Sequence, residues 1–276
     1  MPSRDVYLLT VSAAPLLAAL VVLCWIASLI RRDSSLVDRI WGLGFVLLVH
    51  HHTAFAGEVG GTVDRLFAAL VVIWGIRLTW HITHRNWGHG EDPRYAAMRA
   101  RNGARWWWQS LFTVFLLQGA LMLLIGLPLA ATATPGAAWG RALGTLLWAV
   151  GFAFEAGGDW QLARFKADSA NRGQVLDTGF WRYTRHPNYF GDALQWWGFW
   201  CFAAATGLWW TILSPIIMTL LLLKVSGVTL LESALVDSKP GYRDYVRRTP
   251  AFFPWWPGRL TARCRLRFTQ EALTSP

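Results

Sequence analysis

Gly179–Asp192 reads GFWRYTRHPNYFGD and runs without interruption into the apolar segment Ala193–Ala205. Pro187 fits the first turn of a helix, where a backbone N–H would have no intrahelical partner. From there Asn188, Asp192 and Gln195 recur at helical spacing and share one face. The positive end of that helix points at a polar loop carrying Arg182, Tyr183, Arg185 and His186, which together make a seat for phosphate. A basic loop touching lipid headgroups is the competing reading, and it leaves the acid and amide on the helix unexplained.

Working outward, the 276 residues are 54% hydrophobic and only 15% charged, with 19 Trp. The apolar residues come in long blocks, Tyr7–Ile30, Val37–Ala56, Thr62–His81, Trp106–Ala130, Ala138–Phe165, Asn188–Ala205 and Leu208–Leu231. These predict an all-α, polytopic integral membrane protein of about seven transmembrane helices with a cytoplasm-facing cofactor cavity. No repeat, linker or soluble domain interrupts it, so residues 1–276 read as one membrane domain. Within it, 1–131 would face the substrate, 138–260 would bind the cofactor, and 261–276 is a basic tail. The net charge of +10 is first a topology signal and not a nucleic-acid footprint, because the arginines cluster in alternate loops. That bias predicts a cytoplasmic carboxyl terminus in a bacterial inner membrane. The three cysteines, Cys24, Cys201 and Cys264, lie far apart and indicate neither a disulfide framework nor a metal site. Adjacent residues on a helix point in different directions, so the triplet His50–His52 makes a poor metal site, and no metal is expected.

Ionisable groups inside apolar segments are costly and mark sites or internal pairs. Glu155, Asp159 and Lys166 fall on one face of the fifth segment. Their natural partners are the acid and amides of the sixth segment and the arginines of the central loop. Carboxylates suit a ribose hydroxyl pair and arginines suit a diphosphate. No G-x-G-x-x-G occurs, so a conventional dinucleotide-binding domain is not indicated.

Three stretches in this order, FEAGGDWQLARFK, GFWRYTRHPNYFGDALQWWG and LLESALV followed by YRDYVRRTPAFFPWWP, resemble the carboxyl-terminal region of the steroid 5α-reductase superfamily. The resemblance is strongest to the bacterial branch known as DUF1295. That branch also shows a D-x-x-W-G element, here Asp38–Gly42, and E-D-P-R-Y, here Glu91–Tyr95. The R-H-P-N-Y piece is similar also to sterol C14-reductases and to isoprenylcysteine carboxyl methyltransferases, which use S-adenosylmethionine.

The resemblance implies an NADPH pocket between helices. By position it implies cofactor roles for Asp159, Lys166, Tyr183, Arg185, His186, Asn188, Tyr189, Asp192, Glu232, Tyr242 and Tyr245. Steroid 5α-reductases resemble one another further in a Glu and a Tyr that grip the substrate carbonyl. Here the second segment offers Asp38, and the end of the third offers His84 and Arg85 with no tyrosine beside them, so Asp38, His84 and Arg85 are the candidate catalytic residues. The implied activity is NADPH-dependent reduction of a carbon–carbon double bond conjugated to a carbonyl in a steroid- or lipid-like substrate. The alternative is an S-adenosylmethionine-dependent membrane methyltransferase. The expected partners are a lipid-like small molecule and the bilayer, with no nucleic acid and no protein partner indicated.

Overall fold

A computed structural model describes residues 3–58, 62–225 and 241–256, and every regular element among them is helical. The chain forms two compact units, Met1–Trp148 with Trp196–Ile217, and Ala149–Gln195 with Met218–Pro276.

In the first unit, α1 (Ser3–Arg31) is a nearly unbroken apolar helix with Pro15 inside it. It ends where Arg32 takes a left-handed φ of 53° and the Asp33 N–H reaches back to the Ser28 carbonyl at 3.0 Å, the wide bond that closes a helix through a left-handed residue. One turn, α2 (Leu36–Arg39), leads into α3 (Trp41–Glu58) and then α4 (Arg65–Arg85). Asp64 caps α4 by accepting from the Phe67 N–H at 3.1 Å. The helices α3 and α4 meet at two glycines: a Cβ on Gly42 would lie 2.0 Å from the Gly75 carbonyl oxygen, so only hydrogen fits there. Below that crossing Phe45, Phe67, Trp74, Trp196, Phe199 and Phe202 pack as a buried aromatic core, with tilted, stacked and edge contacts between 4.6 and 5.8 Å.

The polar stretch His84–Arg105 is not a simple loop. Asp92 accepts from the Arg94 N–H at 2.9 Å and Pro93 occupies the first turn, so α5 (Pro93–Asn102) starts there. A 3₁₀ turn at Gly103–Arg105, α6 (Trp106–Ser110), a π-helical stretch Leu111–Leu116 and α7 (Leu117–Ile125) continue it.

The second unit takes residues 149–167 from α8 (Ala138–Ala167) and 187–195 from α9 (Pro187–Ala205). A Cβ on Gly191 would stand 2.4 Å from the Gly151 carbonyl oxygen, so these two helix segments also touch backbone to backbone. The segment 250–256, following α11 (Tyr242–Arg248), lies along the central motif. The Arg185 N–H donates to the Pro250 carbonyl at 2.9 Å and the Trp255 N–H to the Tyr183 carbonyl at 3.0 Å.

The expectation of about seven transmembrane helices in a polytopic bundle is corrected by these elements. Among the described residues three helices are long and apolar enough to cross a membrane, Val6–Arg31, Arg65–Arg85 and Pro93–Ile125, and of the apolar 18-residue stretch in each only 28, 28 and 33% is buried within the protein. The other apolar blocks fail for identifiable reasons. Val37–Ala56 is divided at Ile40 and carries three histidines. α8 carries Arg141, Glu155, Asp159, Arg164 and Lys166, and α9 opens on the polar PNYFGD. After Leu208 the chain forms a 3₁₀ turn (Trp209–Ile212), the short α10 (Leu213–Leu220) and a π turn (Leu221–Val225). Among the described residues Trp209–Lys224 is a shorter apolar helix, below the length of the three that qualify. Apolar content alone does not separate a helix that packs from one that crosses.

Candidate functional site

The first unit gathers Asp38, Tyr95, Arg94, Gln118 and Trp41 from four elements. α2 presents Asp38 one turn before α3, and α5 presents Arg94 and Tyr95 just after its Asp92–Pro93 start. The Tyr95 hydroxyl donates to Asp38 Oδ1 at 2.7 Å, and Arg94 Nη2 donates to Asp38 Oδ2 at 3.2 Å. Arg94 also forks onto Asp92 at 3.0 and 3.1 Å. From α7, Gln118 Nε2 donates to the Tyr95 oxygen at 3.1 Å, while the Trp41 indole N–H donates to Gln118 Oε1. Burial pushes the Asp38 carboxyl above the usual carboxylate range, outweighing the Tyr95 hydrogen bond and the Arg94 charge.

A second knot holds the start of this region in place. Glu91 accepts two bonds from Arg99, at 2.9 and 2.8 Å, and one from the Ser34 N–H at 2.7 Å. The Ser34 hydroxyl in turn accepts from the Trp106 indole at 3.1 Å. Burial of Glu91 acts upward on its carboxyl, but the Arg99 and Ser34 bonds win and hold it below its ordinary value.

His84 and Arg85 end α4 on its exposed side. His84 stacks on Trp80 with centroids 6.1 Å apart, and Arg85 Nε donates to Asn86 Oδ1 at 3.1 Å. Arg85 is near enough to favour the ionised form of Asp38, but hydrogen bonding brings Tyr95, rather than either of them, to that carboxylate. Tyr95 lies within the E-D-P-R-Y stretch. The helix-start signal of Asp92–Pro93 ahead of it was the feature that could have put it on a structured face.

In the second unit Asp159 is buried on α8 and accepts from Asn188 Nδ2 at 3.0 Å. One turn deeper, Gln195 Nε2 donates to Glu155 Oε2 at 2.6 Å, both side chains buried. The shared face read from the sequence therefore carries amides that meet the acids of α8. His186 is buried and stacks on Tyr189 with rings parallel at 5.6 Å, and Asp192 is buried beyond them. The Arg185 guanidinium donates through Nη1 to the carbonyls of Val246, at 3.0 Å, and Thr249, at 2.5 Å, which binds the end of α11. Tyr245 is buried and donates to the Trp181 carbonyl at 2.5 Å, and Tyr242 packs edge-on against it. Lys166 is exposed at the end of α8. Tyr183 lines a cavity of about 500 Å³ with Phe154, Pro254, Trp255 and Trp256. It also lines another of about 370 Å³ with Gln161, Gly179, Phe180 and Arg182. Glu232 lies outside the described residues.

The chain is similar to an uncharacterized protein of Schizosaccharomyces pombe, C594.04c, at 27% identity over 266 residues, covering 83% of this chain and 75% of the relative. That relative is eukaryotic, and among the described residues only three helices, weakly buried, are long and apolar enough to cross a membrane. The placement in a bacterial inner membrane with a cytoplasmic carboxyl terminus is corrected accordingly. No solved structure matches the chain. The family model described as "Protein of unknown function (DUF1295)" matches residues 24–249, most of the sequence, and the chain belongs to that family.

Proposed function

We propose that this protein is an NADPH-dependent reductase of a carbon–carbon double bond conjugated to a carbonyl, in a steroid- or lipid-like substrate. The observation that carries the reading is the Tyr95–Asp38 pair at 2.7 Å. It supplies the acid–phenol couple with which steroid 5α-reductases, which this sequence resembles, grip a substrate carbonyl. When hydride adds to the far end of the conjugated system, negative charge develops on the carbonyl oxygen. A fixed O–H donor there lowers the barrier, and the same group supplies a proton. His84 and Arg85 would then serve at the exposed mouth, Arg85 by its field on Asp38.

When bound, the reduced nicotinamide supplies the hydride. The residues of the second unit fit such a cofactor. Asp159 and Asn188 offer a carboxylate and an amide to ribose hydroxyls, and the aromatic-lined cavity at Tyr183 has room for a ring. Arg182 beside it is an exposed cation for phosphate. Because Arg185 and Tyr245 spend their polar atoms on backbone carbonyls, in this reading they brace the pocket and do not line it. His186, Tyr189, Asp192, Tyr242, Lys166 and Glu232 keep the supporting or contacting roles that the resemblance implies. Residues 1–131 are then the substrate half and 138–260 the cofactor half.

Thermal unfolding of the detergent-purified protein with each cofactor tests this. NADPH should raise the melting temperature, with a stabilisation of about 2.7 kcal/mol at a hundredfold excess over Kd, and Asn188→Ala should weaken binding roughly tenfold to a hundredfold. Asp38→Asn should leave NADPH binding intact. Stabilisation by S-adenosylmethionine alone would replace the reductase with the methyltransferase.

A further inference from the structure

Trp41, the tryptophan of the D-x-x-W-G element, and Gln118, which no motif marks, fix the direction of every proton around Tyr95. An indole N–H can only donate. Trp41 therefore meets Gln118 at its amide oxygen, which leaves the amide nitrogen facing Tyr95 as a donor. The flip of the amide is thus decided by chemistry and not by convention. The Tyr95 oxygen accepts from Gln118 at 3.1 Å and must send its single proton to Asp38 at 2.7 Å. While Asp38 is ionised, Tyr95 has no proton left for a substrate.

We infer that Trp41 and Gln118 are positioning residues of a one-way relay, in which Asp38 is the proton reservoir and Tyr95 the conduit to the substrate oxygen. This rests on the reductase reading for its substrate, a conjugated carbonyl compound. As hydride bonds to the β-carbon, the C=C pair shifts to the bond between the α-carbon and the carbonyl carbon, and the carbonyl π pair moves onto oxygen. That oxygen takes the Tyr95 proton, the Tyr95 oxygen takes the Asp38 proton, and the Asp38 carboxylate remains beside Arg94. The enol then returns to the ketone by gaining a proton at carbon and losing the one on oxygen. Reduction therefore requires protonated Asp38 and falls as pH rises through its titration. The groups that face Asp38 and bear on where this happens are Arg94 and Tyr95 of α5, Asp92 before it, Arg85 at the end of α4 and Cys24 of α1.

The test is carbon-13 NMR of the full chain labelled at tyrosine Cζ. Six tyrosines give six resonances, and Tyr95→Phe assigns the one of interest. In the unsubstituted protein the Tyr95 resonance should step with a titration above the ordinary carboxylate range, and Asp38→Asn should abolish the step. Gln118→Leu and Trp41→Phe should move the resonance at every pH, since the donor to the phenol oxygen is lost or turned. A Tyr95 resonance indifferent to Gln118→Leu, or a step that survives Asp38→Asn, overturns the relay. The comparison with Asp38→Asn decides alone if the other variants do not fold. NADPH plays no part in this measurement. A stepping Tyr95 in a protein that NADPH fails to stabilise would end the reductase reading and leave the relay, and the opposite pair of results would do the reverse.

Discussion

At the scale of single residues, a buried titratable side chain whose polar atoms lack well-formed hydrogen bonds makes pH a variable. His52 is buried on α3, neither ring nitrogen makes a well-formed hydrogen bond, and burial lowers its pKa to about 4, against a smaller upward pull from the Leu129 backbone. The folded value lies below the ordinary value of 6.5, so the folded chain binds fewer protons than the unfolded one in acid. Stability from this group is complete above about 6.5 and is lost as pH falls toward 4, up to ~3 kcal/mol. Calorimetry from pH 7.5 to 4.5 should show a falling melting temperature, and His52→Gln should flatten the fall; equal slopes would dismiss His52 as the cause. Asp38 was legible in the sequence because a carboxylate in an apolar run needs a reason. Tyr95 was not, since its partner lies 57 residues away and its helix begins inside a stretch whose polarity reads as loop. Arg185 was legible as a cation but not as a clamp: sequence carries a guanidinium's chemistry without saying which acceptor reaches it.

At the scale of elements, backbone-to-backbone crossings decide which helices pair. Gly42 and Gly75 let α3 and α4 approach to a distance no side chain tolerates, and the obstacle is a carbonyl that cannot move aside. Gly42→Ala should cost about 1–3 kcal/mol in thermal unfolding. Gly57→Ala, in the same helix with nothing within 4 Å of the added carbon, should be neutral or stabilise by roughly 0.4–1 kcal/mol. If the two variants unfold alike, the crossing is not what the glycine serves. The D-x-x-W-G motif contains Gly42, so its presence was visible, but its physical reason sits on another helix. The start of α5 at Asp92–Pro93 was written in capping chemistry and was obscured by the charges around it.

At the scale of the whole molecule, the all-α class follows from long apolar periodic runs, while the number of crossings does not. The three qualifying helices expose large apolar side chains, among them Ile30, Leu23, Tyr7 and Ile76, which water would not tolerate in such density. The protein should therefore stay in the membrane pellet after an alkaline carbonate wash and need detergent to leave it; release into the supernatant would refute membrane association. The amide-and-acid face of α9 was legible, because helical spacing alone puts Asn188 and Gln195 together. The clamp of Arg185 and Thr184 onto the carbonyls of residues 246–252 spans 61 to 68 residues of chain. On a ribosome, where the amino-terminal part emerges first, the motif GFWRYTRHPNYFGD is made long before the segment that holds it. It must wait, unfinished, until those 61 to 68 further residues have been made. A nascent chain arrested before Val246 would hold every residue of that motif and still lack its clamp.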